Sequence, residues 1–372
     1  MPTVTWEQAL AWRMNRHLLE PVGNLGPEDV VRRLCGVQAQ VSSSADFAIR
    51  ARQANSEAGA VAEALADGRL VKTWAMRAAL HLLTPEDAGD YMGLMAAGRP
   101  WQRPSWQRYF GLTPTEMDNL RDAVIEILGN RAMTREELTA EVTARPGFAH
   151  IGQGLKSGWG MLFKPIAWQG GLIHGPSQGT RITFIRPQVA SRLWRPPPDP
   201  DEAGPRVLER YLAAYGPATL NNFAAWLSRG TIAPTRVKRW VLELGDRLTA
   251  VDVSGTATYL RSEDVDDLAS TKSSNAVRLL GGFDTWVLGP GTDDTHVIPA
   301  ARRNAVSKTA GWIAPIVVVG GVVRGTWEMG MGTVSVSWWK ESGKPPSRAI
   351  EVEAARIGRI RGEKLQVAIS TD

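Results

Sequence analysis

The sequence has a single cysteine, Cys35, in 372 residues, and its five histidines are scattered along the chain. One thiol cannot form an intramolecular disulfide, and it excludes zinc sites that are built from several thiolates. The chain also lacks a phosphate-binding Gly-Lys-Ser/Thr loop, a dinucleotide fingerprint after a strand, and a His-Glu-x-x-His pair. The chemistries that depend on these motifs are poorly supported, and we expect neither a metal nor a cofactor.

Long apolar segments are missing as well. The first six residues lack the basic region and apolar core of a signal peptide, and no stretch reaches the ~18 uninterrupted apolar residues of a spanning helix. We therefore expect a cytoplasmic protein that does not associate with a membrane.

The composition is that of a large folded protein. Hydrophobic residues make up 43% and charged residues 22%, which permits extensive burial and argues against general disorder. A chain of 372 residues is too long for one ordinary core and suggests about two to four domains. The balance of 43 Lys+Arg against 38 Asp+Glu gives a net charge of +5, which is compatible with an anionic partner.

One pattern of elements recurs three times: three helices, followed by two short strands that a turn connects. This is the winged form of the helix-turn-helix, in which the third helix usually lies against a DNA groove. Any one copy can instead serve as scaffold, because fold alone does not fix function. We expect a helix-rich α+β protein with three tandem winged helix-turn-helix units and a C-terminal β-rich subdomain, which together form a concave DNA-binding surface.

Hydrophobic periodicity and capping residues give the predicted bounds of these elements. In the first copy the predicted helices are 4–19, 28–35 and 58–66, and the strands are 70–76 and 79–83. In the second copy the first predicted helix is 115–128, the second opens with the Thr134-x-x-Glu137 capping box, and the third is 153–167. The strands of this copy are 172–174 and 181–185. In the third copy they are 205–214, 219–227 and 234–244, with strands 248–253 and 257–260.

Changes in composition mark the boundaries between these copies. The proline-rich run from Arg195 to Pro200 predicts a stiff, extended linker, and the character after Val277 changes to glycine-rich strands. The predicted domains are a first winged-helix unit at 1–112, a second at 113–195, a linker at 196–204, a third winged-helix unit at 205–275, and the β-rich subdomain at 276–372.

Gly320-Gly321 lies between two of the predicted C-terminal strands and suits a two-residue hairpin turn, because both central positions tolerate positive φ. A thin hairpin that ends in glycines would fit a minor groove, whereas a hairpin in the core is the alternative interpretation.

Gln38 and Gln40 stand two positions apart where a patterned helix ends at Gly36. Beyond such a glycine the backbone is expected to be extended or turning, so side chains at i and i+2 point the same way. Two carboxamides that face one spot can hold a water, and they can orient it without acting as a true general base, since glutamine has no titratable proton. On spacing alone the pair is also compatible with two ordinary polar residues near a helix end.

Four segments together resemble the AlkZ and YcaQ family of winged-helix DNA glycosylases, and the resemblance runs nearly from end to end. These segments are Gln38 to Gln40, Trp74 to Leu82, Tyr215 to Thr219, and Phe283 to Trp286. In that family a Gln-x-Gln or Gln-x-Asp motif marks the catalytic site. The resemblance therefore implies that Gln38 and Gln40 are catalytic.

The resemblance also implies a function. It indicates a base excision repair enzyme that hydrolyses the N-glycosidic bond of cationic alkylated purines of the N7-alkylguanine type and unhooks bulky interstrand crosslinks. Such an enzyme would be a monomer on duplex DNA at a bacterial nucleoid and would give self-resistance to a DNA-alkylating antibiotic. The alternatives are a winged-helix transcription regulator and a protein that shields lesions without cutting them.

Basic residues are spread over the candidate recognition elements, which suits contacts along the phosphate backbone rather than base reading. The candidate DNA-binding residues are Lys156, Lys164, Arg181, Arg186, Arg236, Lys238, Arg239, Arg302, Arg303, Gly320, Gly321 and Arg324. The candidate site-lining residues are Lys72, Trp74, Arg77 and His81. His81 fits a core position better than a proton carrier, and tryptophans such as Trp159, Trp168 and Trp226 are expected in the core.

Overall fold

A computed structural model describes residues 1–372, which divide into two compact units. The first unit joins residues 1–61 to residues 208–372, and we call it the discontinuous unit. The second contains residues 62–207, and we call it the central unit. The dividing points fall inside the first predicted winged-helix unit and near the start of the third. The division into three tandem winged-helix units stays a prediction.

The helices have the following bounds: α1 Trp6–Arg16, α2 Pro27–Arg33, α3 Ser42–Arg50, α4 Ala60–Ala66, α5 Pro85–Ala96, α6 Pro104–Phe110, α7 Pro114–Leu128, α8 Arg135–Thr143, α9 Gly152–Lys156, α10 Phe163–Trp168, α11 Pro187–Ala190, α12 Pro200–Tyr215, α13 Leu220–Ser228, α14 Pro234–Leu244, α15 Val265–Ser270, α16 Thr285–Leu288, α17 Arg303–Val306 and α18 Ser347–Arg361. None of them combines the length and the apolar character that a helix needs to cross a bilayer.

The strands have the following bounds: β1 Thr3–Val4, β2 Val37–Gln38, β3 Val71–Trp74, β4 Leu80–Leu83, β5 Met133–Thr134, β6 Ile173–His174, β7 Thr183–Ile185, β8 Leu248–Val253, β9 Thr256–Arg261, β10 Val277–Leu280, β11 Ile316–Val319, β12 Val322–Gly330, β13 Thr333–Trp338 and β14 Gln366–Thr371.

Threonine capping boxes start four of the helices: α1, α7, α8 and α13. At α8 the Thr134 hydroxyl accepts from the Glu137 N–H at 3.2 Å, and the Glu137 carboxylate accepts from the Thr134 N–H at 2.8 Å. Each box satisfies two N–H groups that would otherwise lack a partner at the helix start. The capping box predicted at Thr134 is confirmed.

The discontinuous unit contains two sheets. In the larger one the strand order is β10-β11-β12-β13-β14, with antiparallel pairs except for the parallel pair β13–β14. The smaller one has the order β1-β8-β9. Helix α18 packs against β10 and β14 and buries Ile350, Ala354 and Ile357 over the larger sheet. The predicted β-rich character of the C-terminal region is confirmed.

The Gly320–Gly321 turn connects β11 to β12 with φ of +55° and +88°, so the predicted two-residue hairpin is confirmed. A Cβ atom on Gly320 would lie 2.4 Å from the Ser274 carbonyl oxygen, and one on Gly321 would lie 2.7 Å from the Leu10 Cβ. The turn is therefore packed against its own chain. This packing argues against entry of these glycines into a minor groove and favours the core interpretation.

The helices predicted in the third copy are all present, but α12 begins at Pro200, five residues before the predicted start. Proline at a helix start and the acidic Asp201 and Glu202 in the first turn favour this earlier beginning. The predicted linker at 196–204 is therefore partly helical. Its remaining part packs on α5, where a Cβ on Gly89 would meet the Pro196 carbonyl oxygen and one on Gly93 the Pro198 carbonyl oxygen, each at 2.9 Å.

In the central unit, β3 pairs with β4 and β6, and β7 pairs with β6 and β5, all antiparallel. The core beside this sheet contains Leu120, Leu138, Phe163 and Phe184. The predicted helix 153–167 is wrong in one respect, because the structure has two short helices, α9 and α10, separated by residues 157–162. The glycines at 158 and 160 explain the interruption, since glycine is a poor helix residue.

Helix α3 was not expected from the sequence. It follows the Gln38–Gln40 segment directly, and its first three residues are serines. Serine favours caps and turns over helix interiors, so the run 42–44 gave no helix signal. The helix instead forms because Ala45, Ala48 and Ile49 are buried along one face.

Candidate active site

The Gln38–Gln40 segment lies in the discontinuous unit, immediately after a sharp reversal of the chain. Helix α2 ends at Arg33, and then Cys35 and Gly36 take φ of +57° and +99°. A positive φ is costly for a residue with a side chain, so the surrounding contacts must hold Cys35 in place. Strand β2 begins at the next residue, Val37.

Burial alternates along this segment. Val37 and Ala39 are fully buried, Gln38 is half-buried and Gln40 is exposed. A period of two is what a backbone with both carboxamides on its accessible side would give, so the alternation supports the expectation from the spacing. The buried residues fix the segment in the core, while Gln40 remains accessible to solvent.

A residue from a distant part of the chain anchors the reversal. The buried Tyr215 hydroxyl donates to the Leu34 carbonyl oxygen at 2.8 Å. The Tyr215 ring stacks with Tyr211 at 5.1 Å and meets His17 edge-on at 4.9 Å. Burial lowers the pKa of His17 well below its usual range, so this ring is neutral. The motif from Tyr215 to Thr219 thus supports the backbone that carries the glutamines.

A buried ion pair anchors the far end of α3. The Arg52 guanidinium donates to both carboxylate oxygens of Asp284, at 2.9 and 2.7 Å, and also to the Ala48 carbonyl oxygen at 2.7 Å. Both charged side chains are inaccessible to solvent. Asp284 additionally accepts from the Trp286 N–H at 2.8 Å. The motif from Phe283 to Trp286 therefore fixes the helix that follows Gln40.

The start of α3 has no side-chain cap, and its N-cap residue is Val41. Unsatisfied N–H groups and the helix dipole make such a start electropositive. The first carboxylate along the helix, Asp46, pairs with Arg50 at 3.5 Å. Asp46 is thus engaged within its own helix, which gives no support to its acting as a substitute for the carboxylate of the Gln-x-Asp motif.

The candidate site-lining residues all lie in the central unit. Trp74 is 4% exposed and belongs to the core, which argues against base stacking. His81 is buried, its Nδ1 lies 3.0 Å from the Ala79 carbonyl oxygen, and burial lowers its pKa to about 3. A neutral, buried imidazole cannot carry protons at neutral pH, so the core interpretation holds. Lys72 is half-buried and its pKa is lowered by burial. Arg77, at φ +56°, forms the turn between β3 and β4.

The candidate DNA-binding cations divide by exposure. Lys156, Arg181, Lys238, Arg239 and Arg303 have exposed side chains. The half-buried ones are Lys164, Arg186, Arg236, Arg302 and Arg324, of which Arg186 donates to the Gly129 carbonyl oxygen and Arg236 lies over the Trp240 ring.

The structure argues against Arg302 as a member of this DNA-binding set. Its guanidinium donates to both Glu341 carboxylate oxygens, at 2.6 and 2.9 Å, and lies 3.4 Å from an Asp372 carboxylate oxygen. The hydrogen bond from Arg302 lowers the pKa of Glu341 to about 2. A cation that two carboxylates already neutralise is a poor phosphate ligand, so Arg302 has a structural role.

The sequence interpretation also missed two exposed apolar side chains on turns. Trp159 was expected in the core but is 73% exposed, whereas Trp168 and Trp226 are buried as expected. Met331 is fully exposed at the turn between β12 and β13. The adjoining glycines, at 158 and 160 and at 330 and 332, were the available signal of a turn.

Comparison with known proteins gives consistent results. A family model described as DNA glycosylase AlkZ-like matches residues 31–360. The interstrand DNA cross-link repair glycosylase of Streptomyces sahachiroi is 44% identical over 361 residues, which cover 96% of this chain and 97% of the relative. The solved structure of the Streptomyces sahachiroi DNA glycosylase AlkZ matches with a TM-score of 0.96 at 44% identity and covers 100% of both chains. Because the match extends over nearly the whole sequence and the whole fold, the chain belongs to the AlkZ-like DNA glycosylases.

Proposed function

We propose that this DNA glycosylase hydrolyses the N-glycosidic bond of cationic N7-alkylated purines, with Gln38 and Gln40 positioning the attacking water. The observation that carries this proposal is the alternation along residues 37–40. Two neutral amides lie on the accessible side of a backbone that buried neighbours and the Tyr215 hydrogen bond hold in place. Such an arrangement orients a water without supplying a base.

Hydrolysis of a cationic purine nucleotide requires little more than a positioned water. A purine alkylated at N7 is cationic, so the C1′–N9 bond breaks with its electron pair passing to the purine, which leaves as a neutral base. Water forms the new C1′–O bond and gives its proton to solvent, through an oxocarbenium-like transition state of the kind found in glycoside hydrolysis. Amide oxygens from Gln38 and Gln40 accept hydrogen bonds from the water and place it at C1′. The products are the free base and an abasic site.

The weak basicity of the amides predicts selectivity. A neutral damaged base needs protonation before it leaves, and a buried or partnered residue does not supply that proton readily. His81 is neutral and buried, and Asp46 is paired with Arg50. We therefore assign the enzyme to cationic lesions rather than to neutral damaged bases.

We extend the substrate range to interstrand crosslinks. The relative from Streptomyces sahachiroi carries crosslink repair in its name, and this chain matches it over nearly its full length. A crosslink through purine N7 atoms presents the same cationic leaving group, so unhooking needs no additional chemistry. In a producing organism this activity would give self-resistance to a DNA-alkylating antibiotic.

DNA binding rests on backbone contacts in this proposal. Exposed cations such as Lys156, Arg181 and Lys238 supply charge that is independent of sequence. The uncapped start of α3, directly after Gln40, suits a phosphate that flanks the lesion.

The test is base release from a duplex with a single N7-methylguanine, under single-turnover conditions, with duplex affinity measured in parallel. Gln38→Ala and Gln40→Ala should each lower the rate by roughly 10²-fold or more, the loss expected when positioning of a reactant fails, with affinity nearly unchanged. A duplex with an N7-linked crosslink should give abasic sites with the wild type. If the wild type binds both duplexes but releases no base, a regulator or a lesion-shielding protein replaces the glycosylase in this proposal.

A further inference from the structure

We propose that Trp159 is a wedge that enters the base stack of bound duplex DNA. Trp159 lies at the tip of the loop 157–162, between α9 and α10 of the central unit. The inference rests on the proposed function only in that the partner is duplex DNA. It adds a residue that acts on the stacking of the duplex rather than on the glycosidic bond.

The loop 157–162 is held firmly at its base. Leu155 and Leu162, on either side of the turn, are fully buried. Gly160 has φ +61°, and a Cβ atom there would lie 2.5 Å from the Trp74 ring, so only glycine permits this approach. Its carbonyl oxygen accepts from the Lys164 N–H at 2.9 Å, which ties the loop to α10.

The turn itself is also closed by hydrogen bonds. The Gly160 N–H donates to the Ser157 carbonyl oxygen at 3.1 Å. The Trp159 N–H donates to the Ser157 hydroxyl at 3.4 Å. The indole at the tip nevertheless remains 73% exposed, and Met161 beside it is 42% exposed. A braced loop that presents its largest apolar side chain to water indicates a contact surface.

Basic residues lie on the loop's flank and on the neighbouring elements of the same unit. Lys156, at the end of α9, is exposed and makes no ion pair. Arg135, at the start of α8, has a guanidinium nitrogen 4.0 Å from the position of a Cβ on Gly158, and its buried Nε has no hydrogen-bond partner. Arg181 is exposed on the loop between β6 and β7. Glu136 offsets part of the Arg135 charge, but the buried Arg135 Nε without a partner leaves this guanidinium able to bind an anion.

This combination favours DNA over a protein partner. An aromatic side chain with cations around it matches the duplex, in which apolar base faces lie between two rows of phosphates. Proteins that bend DNA place such side chains between base steps and unstack them. A wedge of this kind lowers the cost of distorting the bound duplex, so removing it should slow base release more than it weakens binding.

The experiment uses a set of duplexes that carry a single N7-methylguanine and 2-aminopurine at successive positions on either side of it, because the fluorescence of 2-aminopurine rises on unstacking. The wild type should raise the fluorescence on binding at one of these positions. Trp159→Ala should abolish the rise and lower the single-turnover rate roughly tenfold, the order of one lost base–aromatic contact, while Trp159→Phe should retain most of both. Trp312→Ala removes another exposed tryptophan and should change neither.

A second duplex separates a wedge from a merely structural role. When the base pair at the responding position is mismatched, unstacking costs less, so the rate of Trp159→Ala should recover to within about twofold of the wild type. The inference is overturned if Trp159→Ala keeps the fluorescence rise, if Trp312→Ala has the same effect, or if the mismatch gives no recovery. Absence of base release by the wild type would instead count against the proposed function, and the fluorescence rise on binding would still report on the wedge.

Discussion

The Gln38–Gln40 segment and the Trp159 loop are both short connections with accessible residues between buried ones, yet they are fixed in different ways. The first is held by Tyr215 and by the Arg52–Asp284 pair, which involve residues far along the chain. The second is held by backbone hydrogen bonds among its own residues and by the close approach of Gly160 to the Trp74 ring. The comparison teaches that precise placement of the first region depends on polar contacts with distant residues, whereas the second depends mainly on its own backbone and on the space that a glycine leaves.

The largest effect is expected from breaking the distant support. Asp284→Ala leaves the Arg52 charge buried without its partner, and such a loss costs about 3–5 kcal/mol of folding free energy. Urea denaturation monitored by circular dichroism should show the decrease. Arg52→Leu combined with Asp284→Leu, which removes both charges, should be less destabilising than Asp284→Ala alone. Equal losses in the two variants would show that the charge itself does not decide the effect.

Breaking the local support should have the next largest effect. Gly160→Ala introduces a Cβ against the Trp74 ring at φ +61°, and we expect a loss of roughly 1–3 kcal/mol. Gly179→Ala is a matched control in the same unit, because Gly179 has φ +62° but nothing within 4 Å of the added atom. Both stabilities can be measured by thermal denaturation. If the two variants lose the same amount, backbone strain rather than contact with Trp74 is responsible.

A milder change tests how far the placement of the two glutamines depends on the Tyr215 hydroxyl. Tyr215→Phe removes only the hydroxyl that donates to Leu34, so folding should lose about 1 kcal/mol. Base release should fall severalfold at unchanged duplex affinity, because the backbone before Gln38 loses its anchor. In Tyr211→Phe, the lost hydroxyl is 3.4 Å from its acceptor, Gly289, and the rate should stay near that of the wild type.

The smallest effect at neutral pH is expected from two buried histidines of the central unit, which make stability depend on pH. His81 and His174 have pKa values lowered to about 3 by burial, against a usual value near 6.5. The unfolded state therefore gains protons first as the pH falls, so stability is full above pH 6.5 and is lost between pH 6.5 and 3. Each histidine should lower the free energy of unfolding by roughly 1 kcal/mol near pH 6, relative to its value above pH 6.5. His174→Phe should flatten the pH dependence of the unfolding midpoint, and an unchanged slope would contradict the assignment.

The sequence predicted most of the elements because their signals are local. The Thr134 capping box, the Gly320–Gly321 turn and α14 each depend on residues within one turn or one helix. Helix α3 was missed because tertiary packing decides it, and a serine run carries no local signal of that packing. Trp159 was missed although the glycines on either side of it signalled a turn.

In the candidate site, too, features with a local signal were predictable and features that depend on distant residues were not. The i and i+2 spacing of Gln38 and Gln40 predicted their common exposure, which the alternation of burial supports. The engagement of Arg302 with Glu341 and Asp372 was out of reach, because the three positions are far apart in the chain. Charge on a side chain is visible in a sequence, whereas the presence of a partner for that charge is not.

The discontinuous unit has a consequence for synthesis on the ribosome. The central unit is complete once Val207 has been made, whereas the Gln38–Gln40 segment must wait for Tyr215 and then Asp284 before its backbone is fixed. Domains generally fold as units during translation, so the nascent chain carries a folded middle and an unfinished beginning. A ribosome that stalls before Asp284 therefore releases a fragment that contains both glutamines but lacks the residues that hold them.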